Sequence, residues 1–158
     1  MKGHKVMKVT DVKTKEIIME KAGRNFKRVC YVLLACAGIF FLYYAFYFLS
    51  AIFAPNPDWG TAVVFMGSGV AVIIALSHLL LALWGLHKVK KCSEGWLHFF
   101  FTFLLLCVAL SSVDFNDFAY TTNNPELFIQ LTVSIVWLAV LIAYGWFAFK
   151  FRKSCFKK

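Results

Sequence analysis

The chain has 158 residues, of which 61% are apolar and only 16% are charged. Globular proteins average roughly 45–50% apolar and 25% charged residues, so this composition argues against a soluble domain and indicates a membrane protein. The net charge of +9 does not indicate nucleic-acid binding, because the lysines and arginines are confined to three separate segments of the chain.

The first 28 residues form a basic arm that carries 9 of the 17 lysines and arginines. Apolar side chains recur at near-helical spacing over residues 10–28, which favours a basic amphipathic helix on the membrane surface; the alternative is a flexible tail that only sets topology. An anionic inner leaflet would attract this arm by about 1 kcal/mol for each basic residue near the surface. The apolar segment that follows is too long for the core of a cleavable signal peptide.

Four apolar segments follow the arm, and a hydrocarbon core needs about 20 residues to be crossed by a helix. They cover residues 29–54, 61–86, 95–113 and 127–149, and none of them contains Asp, Glu, Lys or Arg. A helix that is apolar on all sides is buried, and burial in lipid is the economical explanation here. The sequence therefore predicts an all-α membrane protein with a transmembrane domain at residues 29–149.

The connections between these segments are short, which predicts an up-down-up-down four-helix bundle. Pro55 and Pro57 end the first helix, and residues 87–94 join the second to the third. All basic residues lie in the arm, in this second connection or in the tail at 150–158. Basic flanks remain on the cytoplasmic side, so both termini are predicted to be cytoplasmic. Which membrane the chain occupies is left open.

The second segment carries a stripe of small residues. Successive rotations of 100° place all five of them within about 80° of one another. The stripe consists of Gly67, Ala71, Ala75, Ala82 and Gly85. Small side chains let membrane helices approach closely, so we predict a helix-packing surface, either inside the bundle or against a partner helix or a second copy.

Polar side chains inside the predicted spans are the next candidates. A rise of about 1.5 Å per residue places His78 at the depth of Thr102, and Tyr47 at the depth of Ser68. Equal depth predicts two hydrogen bonds between helices. A proton or ligand role for His78 is the alternative to a structural hydrogen bond. His98 is about 8 Å shallower, so a haem held by two facing histidines is not predicted, and neither is any other cofactor or metal.

Three of the five cysteines lie next to basic residues at the predicted inner boundary of the membrane. They are Cys30, Cys92 and Cys155. This placement makes them candidate sites of S-palmitoylation, and unmodified thiols are the alternative. No Cys-x-x-Cys occurs, and the predicted side is reducing, so neither a redox motif nor a disulfide framework is expected.

These features favour a non-catalytic tetraspan that acts as an accessory subunit or organiser and packs against other membrane proteins or copies of itself. The predicted topology resembles that of MARVEL-type tetraspans, which have four spans and two cytosolic ends. The resemblance concerns architecture alone, and it implies a role connected with membrane apposition or trafficking. No nucleic-acid partner is expected.

Two other functions remain open. The first is a homo-oligomeric channel or small transporter with a polar lining, and its candidate residues are His78, Ser68, Thr102 and Ser134. No acidic residue for proton coupling lies in the spans. The second is a membrane enzyme, which needs acids, bases or metal ligands clustered near one interface. The candidate residues for such an enzyme are His87, Glu94 and His98. The third loop contains Asp114 and Asp117, and we expect it to be a solvated acidic loop and not a cation site.

Overall fold

The computed structural model describes residues 3–55, 58–91, 96–111 and 125–156; residues 3–11, 96, 111 and 125–131 are described by their backbone alone. These residues form four α-helices, α1 (Gly3–Ile52), α2 (Trp59–Lys91), α3 (Trp96–Ser111) and α4 (Pro125–Cys155). Three of them, α1, α2 and α4, are long and apolar enough to cross a membrane. The predicted all-helical class, with helices of membrane-spanning length, is confirmed. The predicted acidic loop after α3 lies outside the described residues.

α1 is a single helix of 50 residues, about 75 Å long. It runs without a break from the basic arm into the first apolar segment, because no proline interrupts the chain before Pro55. The side chains of residues 12–21 are all exposed. This part of α1 therefore extends beyond the packed bundle, whereas residues 22–48 form its packed part.

The packed faces of the helices follow an alternating spacing of three and four residues. On α1 the repeat consists of Gly23, Phe26, Cys30, Leu33, Ala37, Phe40 and Tyr44. On α2 it consists of Ser68, Ala71, Ala75, His78, Ala82 and Gly85. On α4 it consists of Leu141, Tyr144, Ala148 and Phe151. This spacing keeps one seam of each helix turned towards its neighbours, as in coiled coils and four-helix bundles.

Each helix packs on two others. α1 packs on α2 and α4, and α3 packs on α2 and α4. A Cβ on Gly23 of α1 would lie 3.3 Å from Phe151 of α4 and 4.0 Å from Val89 of α2. The lysines and arginines of α1, α2 and α4 are therefore grouped at one end of the bundle, which we call the basic end. At the opposite or far end, Phe48 of α1 stacks on Phe65 of α2, with ring centroids 4.8 Å apart.

The core of the bundle lies in the half towards the basic end. The side chains that are almost completely buried there are Phe26, Cys30, Leu33, Leu141 and Tyr144. Towards the far end, by contrast, large apolar side chains such as Phe53 and Trp59 are more than three-quarters exposed. Apolar exposure of this kind fits a lipid surrounding, in which hydrocarbon tails solvate such side chains.

Candidate functional site

The hydroxyl of Tyr144 connects three helices inside the basic-end half. It lies 2.9 Å from the backbone carbonyl of Leu81 on α2 and 2.7 Å from Nε2 of His98 on α3. A carbonyl oxygen only accepts, so the hydroxyl donates to Leu81 and His98 Nε2 donates to the hydroxyl oxygen. Because the Tyr144 side chain is completely buried, these two bonds satisfy a polar group that has no access to water.

Gly85 of α2 provides the space in which this hydroxyl lies. A Cβ at Gly85 would overlap the Tyr144 hydroxyl oxygen and would lie 2.8 Å from Sγ of Cys30 on α1. Any larger residue would therefore push α4 and α1 away from α2. One residue from each helix thus meets at this point, and we call the group of Cys30, Gly85, His98 and Tyr144 the tyrosine node.

Aromatic rings shield the tyrosine node. The ring of Phe26 lies 5.3 Å from that of Tyr144 and 6.3 Å from that of His98, while Trp84 lies edge-on to His98 at 5.3 Å. Sequence reasoning missed Tyr144 because a tyrosine in an apolar segment carries no motif. The rise of about 1.5 Å per residue would have placed it about 8 Å inside its span, near the level of His98.

His98 therefore lies in the interior of the bundle. His98 is 6% exposed and bonded to Tyr144, and the enzyme alternative that grouped it with His87 and Glu94 stays a prediction. His87 is exposed on α2. Glu94 lies outside the described residues.

His78 occupies a second buried layer, nearer the middle of α2. Its Nδ1 lies 2.7 Å from the carbonyl oxygen of Ile74 on the same helix, so Nδ1 carries the proton and Nε2 presents a lone pair. The residue is 1% exposed, and Nε2 has no hydrogen-bond partner in the described part of the chain. The imidazole packs edge-on against Trp137 of α4, with centroids 4.9 Å apart, and Trp137 packs on Phe40 of α1 at 4.8 Å. His78 thus offers one hydrogen-bond acceptor in apolar surroundings.

The two hydrogen bonds predicted from equal depth are wrong. Thr102 donates to the backbone carbonyl of His98 at 2.7 Å and does not bond to His78. Ser68 donates at 2.6 Å to the carbonyl four residues earlier on α2. The Tyr47 hydroxyl instead accepts from Tyr43 at 3.5 Å and faces outwards. Serine and threonine reach a carbonyl of their own helix more easily than a side chain across the interface, so depth alone did not select the partners.

The stripe of small residues on α2 is divided between inside and outside. Ala75, Ala82 and Gly85 are buried in the bundle, and Ala71 is half-buried. Gly67 is exposed, and a Cβ built on it would meet nothing within 4 Å. The basic-end part of the stripe is therefore used within the chain, and Gly67 is open.

The candidate palmitoylation sites lie in different surroundings. Cys30 is a free thiol that is fully buried in the tyrosine node, so the folded bundle does not present it to an acylating enzyme, and palmitoylation at Cys30 stays a prediction. Cys155 is disulfide-bonded, so the expectation that these cysteines form no disulfide is wrong at this position, and a sulfur in a disulfide cannot form a thioester. Cys92 lies outside the described residues. Cys36 and Cys107, within α1 and α3, are free thiols.

Among the described residues, no group of three or more His, Cys, Asp and Glu side chains is placed to hold a metal ion. The candidate site is the pair of buried polar layers. In the tyrosine node, the Tyr144 hydroxyl has hydrogen-bond partners within the chain, whereas in the second layer Nε2 of His78 is an acceptor without a donor among the described residues.

No protein-family model, no curated protein and no solved structure matches this chain.

Proposed function

We propose that this chain is a non-catalytic integral membrane subunit or organiser that packs against other membrane proteins. The observation that supports it is the use of the interior polar groups. Tyr144, Thr102 and Ser68 donate their hydroxyl protons to backbone carbonyls of the chain itself. A catalytic site needs such groups to converge on a substrate space, whereas here Tyr144 links α4 to α2, and Thr102 and Ser68 bond within their own helices.

The topology we propose has four spans arranged up-down-up-down, with both termini on the cytoplasmic side. The position of Gly23 beside Phe151 and Val89 supports it, because the start of the packed part of α1 then lies beside the ends of α2 and α4. These segments carry the basic flanks that stay in the cytoplasm. α3, with 16 residues, is about 24 Å long, and its described residues are all apolar or uncharged.

The partner is proposed to pack on the far half of α1 and α2. Gly67 leaves an open position there, where another helix can approach the α2 backbone closely. Tyr43 and Tyr47 on α1 carry exposed hydroxyls joined by a long 3.5 Å hydrogen bond. A hydroxyl that faces hydrocarbon lacks water as an alternative partner, so a polar group on a neighbouring helix would stabilise this pair.

Replacement of Gly67 by leucine tests the proposed packing surface. We expect Gly67→Leu to abolish co-purification of a partner of defined stoichiometry, measured by native mass spectrometry after gentle extraction. Val70→Leu is the matched control, since Val70 is also exposed on α2, 58% accessible. Thermal melting of the isolated chain should not fall in either variant. A partner that remains bound to the Gly67→Leu chain would contradict the proposed surface.

The alternative function is a homo-oligomeric channel or small transporter, and the free Nε2 of His78 is the observation that favours it. In that case the bundle would open, because Ser68, His78 and Thr102 are all buried within one chain. Flux through reconstituted proteoliposomes, compared between the wild type and His78→Leu, distinguishes the two functions. A flux that disappears in His78→Leu would support the channel.

A further inference from the structure

A groove of about 230 Å³ lies between α1 and α4 on the outside of the bundle. Its wall on α1 is formed by Cys36, Ile39 and Phe40, and its wall on α4 by Val133, Val136 and Trp137. The packed rings of Phe40 and Trp137 close its inner side, because Trp137 also rests on the buried His78. The surface of the groove is almost entirely apolar, so it suits a hydrocarbon chain.

Two helix faces connect this groove with the basic end. On α1 the connecting residues, spaced four, four and three apart, are Arg28, Val32, Cys36 and Ile39. On α4 the connecting residues, spaced three or four apart, are Lys150, Phe147, Ala143, Val140 and Val136. Side chains at these spacings share one face of a helix. The groove is therefore the deep end of a longer seam between α1 and α4.

The length of this seam matches one leaflet of a bilayer. Cys36 is eight residues from Arg28, about 12 Å, and Val140 is ten residues from Lys150, about 15 Å. Half of a hydrocarbon core of about 30 Å is also about 15 Å. The Lys150 amine lies over the ring of Trp146, 5.0 Å from its centroid, which is an arrangement suited to the headgroup level.

The charge at the shallow end of the seam is positive. Arg28 and Lys150 are both exposed, and no aspartate or glutamate occurs in residues 22–41 or 132–155, which form the two sides of the seam. The planar guanidinium of an arginine binds a phosphate through two parallel hydrogen bonds. The shallow end therefore complements an anionic headgroup, as the deep end complements an acyl chain.

We propose that this seam binds one anionic phospholipid of the leaflet at the basic end. Its phosphate lies at Arg28 and Lys150, and one acyl chain follows the two helix faces and ends in the groove against Phe40 and Trp137. The site goes beyond the proposed accessory role and does not depend on it, because a lipid can bind whether or not a partner protein does.

Lipid titration by native mass spectrometry tests the headgroup contacts. In mild detergent the wild type is expected to retain one phosphatidylglycerol and to lose phosphatidylcholine under the same conditions. Arg28→Gln combined with Lys150→Gln should weaken phosphatidylglycerol binding about 10- to 30-fold. Lys90→Gln with Lys91→Gln removes the same charge from exposed sites on α2 and is expected to bind as the wild type does. An equal loss in both double variants would overturn the proposal.

The native cysteines test the groove without a substitution. Cys36 lines the groove, and Cys107 is an exposed free thiol on α3. Phosphatidylglycerol is expected to slow the alkylation of Cys36 by a small apolar maleimide at least threefold relative to that of Cys107, as mapped by peptide mass spectrometry. Phosphatidylcholine should have no such effect at the same concentration. Equal protection of both thiols, or none at Cys36, would contradict an acyl chain in the groove.

Discussion

The two halves of the bundle are built in different ways. In the basic-end half, Tyr144 links α4 to α2 and α3, and Phe26, Cys30 and Leu141 are buried around it. In the far half, the described side chains pack mainly through rings such as Phe48 on Phe65, while Gly67 stays open. The difference indicates that directional hydrogen bonds fix the helix positions in one half, whereas apolar contacts and open positions leave the other half adaptable.

The largest effect on stability is expected from glycine substitution, because a side chain at Gly85 would clash with its neighbours whereas one at Gly67 would not. Gly85→Ala should lower the free energy of unfolding by about 2–4 kcal/mol, since the added methyl overlaps the Tyr144 hydroxyl and displaces its hydrogen bonds. Gly67→Ala, on the same helix, should cause no loss, because its methyl meets nothing. Reversible denaturation in one detergent measures both. Equal stability of the two variants would remove the distinction between the halves.

Removing a tyrosine hydroxyl from each half compares how much hydrogen bonding contributes to stability in the two halves. Tyr144→Phe is expected to cost about 1–2 kcal/mol of unfolding free energy, because the His98 donor and the Leu81 carbonyl lose a buried partner. Tyr43→Phe should have no measurable effect in detergent, since its 3.5 Å bond is long and exposed. Thermal melting followed by circular dichroism measures the difference. A larger loss in Tyr43→Phe would show that the far half is the better-ordered one.

The two buried histidines sharpen the comparison within the core. His98→Leu should lower the free energy of unfolding by about 1 kcal/mol, because it removes a satisfied donor to Tyr144. His78→Leu should be neutral or slightly stabilising, since Nε2 has no partner and leucine removes a buried lone pair. The predicted order of melting temperatures is therefore His78→Leu at or above the wild type, with His98→Leu lowest. A strong loss in His78→Leu alone would reveal a bonding partner of Nε2.

The smallest expected effect is at the start of α2, at the far end. The backbone N–H and the hydroxyl of Thr61, each 2.7 Å from Asp58 Oδ1, hold the pKa of this carboxyl below its ordinary value. A lowered folded pKa means that the charged carboxylate stabilises the helix start above the unfolded pKa, and this contribution disappears as the pH falls through the folded pKa. In Asp58→Asn this pH dependence should be absent. Carboxyl chemical shifts measured against pH by NMR would contradict the assignment if Asp58 titrated at its ordinary value.

The sequence by itself determined the class of the protein and much of its helix plan. Three of the four apolar segments without charged residues correspond to helices of membrane-spanning length, and prolines 55 and 57 marked the end of α1 within a few residues. The extents at the basic end were underestimated, since α2 continues to Lys91 and α4 to Cys155. Hydropathy marks the part of a helix that lies in the hydrocarbon core. The helix itself extends further wherever its backbone hydrogen bonds and its packing against other helices continue.

The tertiary structure alone decided which residues meet. Periodicity placed Gly67 and Gly85 on one stripe, yet one is open and the other receives Tyr144 and Cys30. Equal depth in the membrane predicted a hydrogen bond between His78 and Thr102, yet the Thr102 hydroxyl donates to a carbonyl of its own helix. Local sequence sets the conformation and the amphipathic character of a helix, because these depend on neighbouring residues. The rotation of each helix and the distance between axes depend on side chains far apart in the chain, and those two quantities select every hydrogen bond of the tyrosine node.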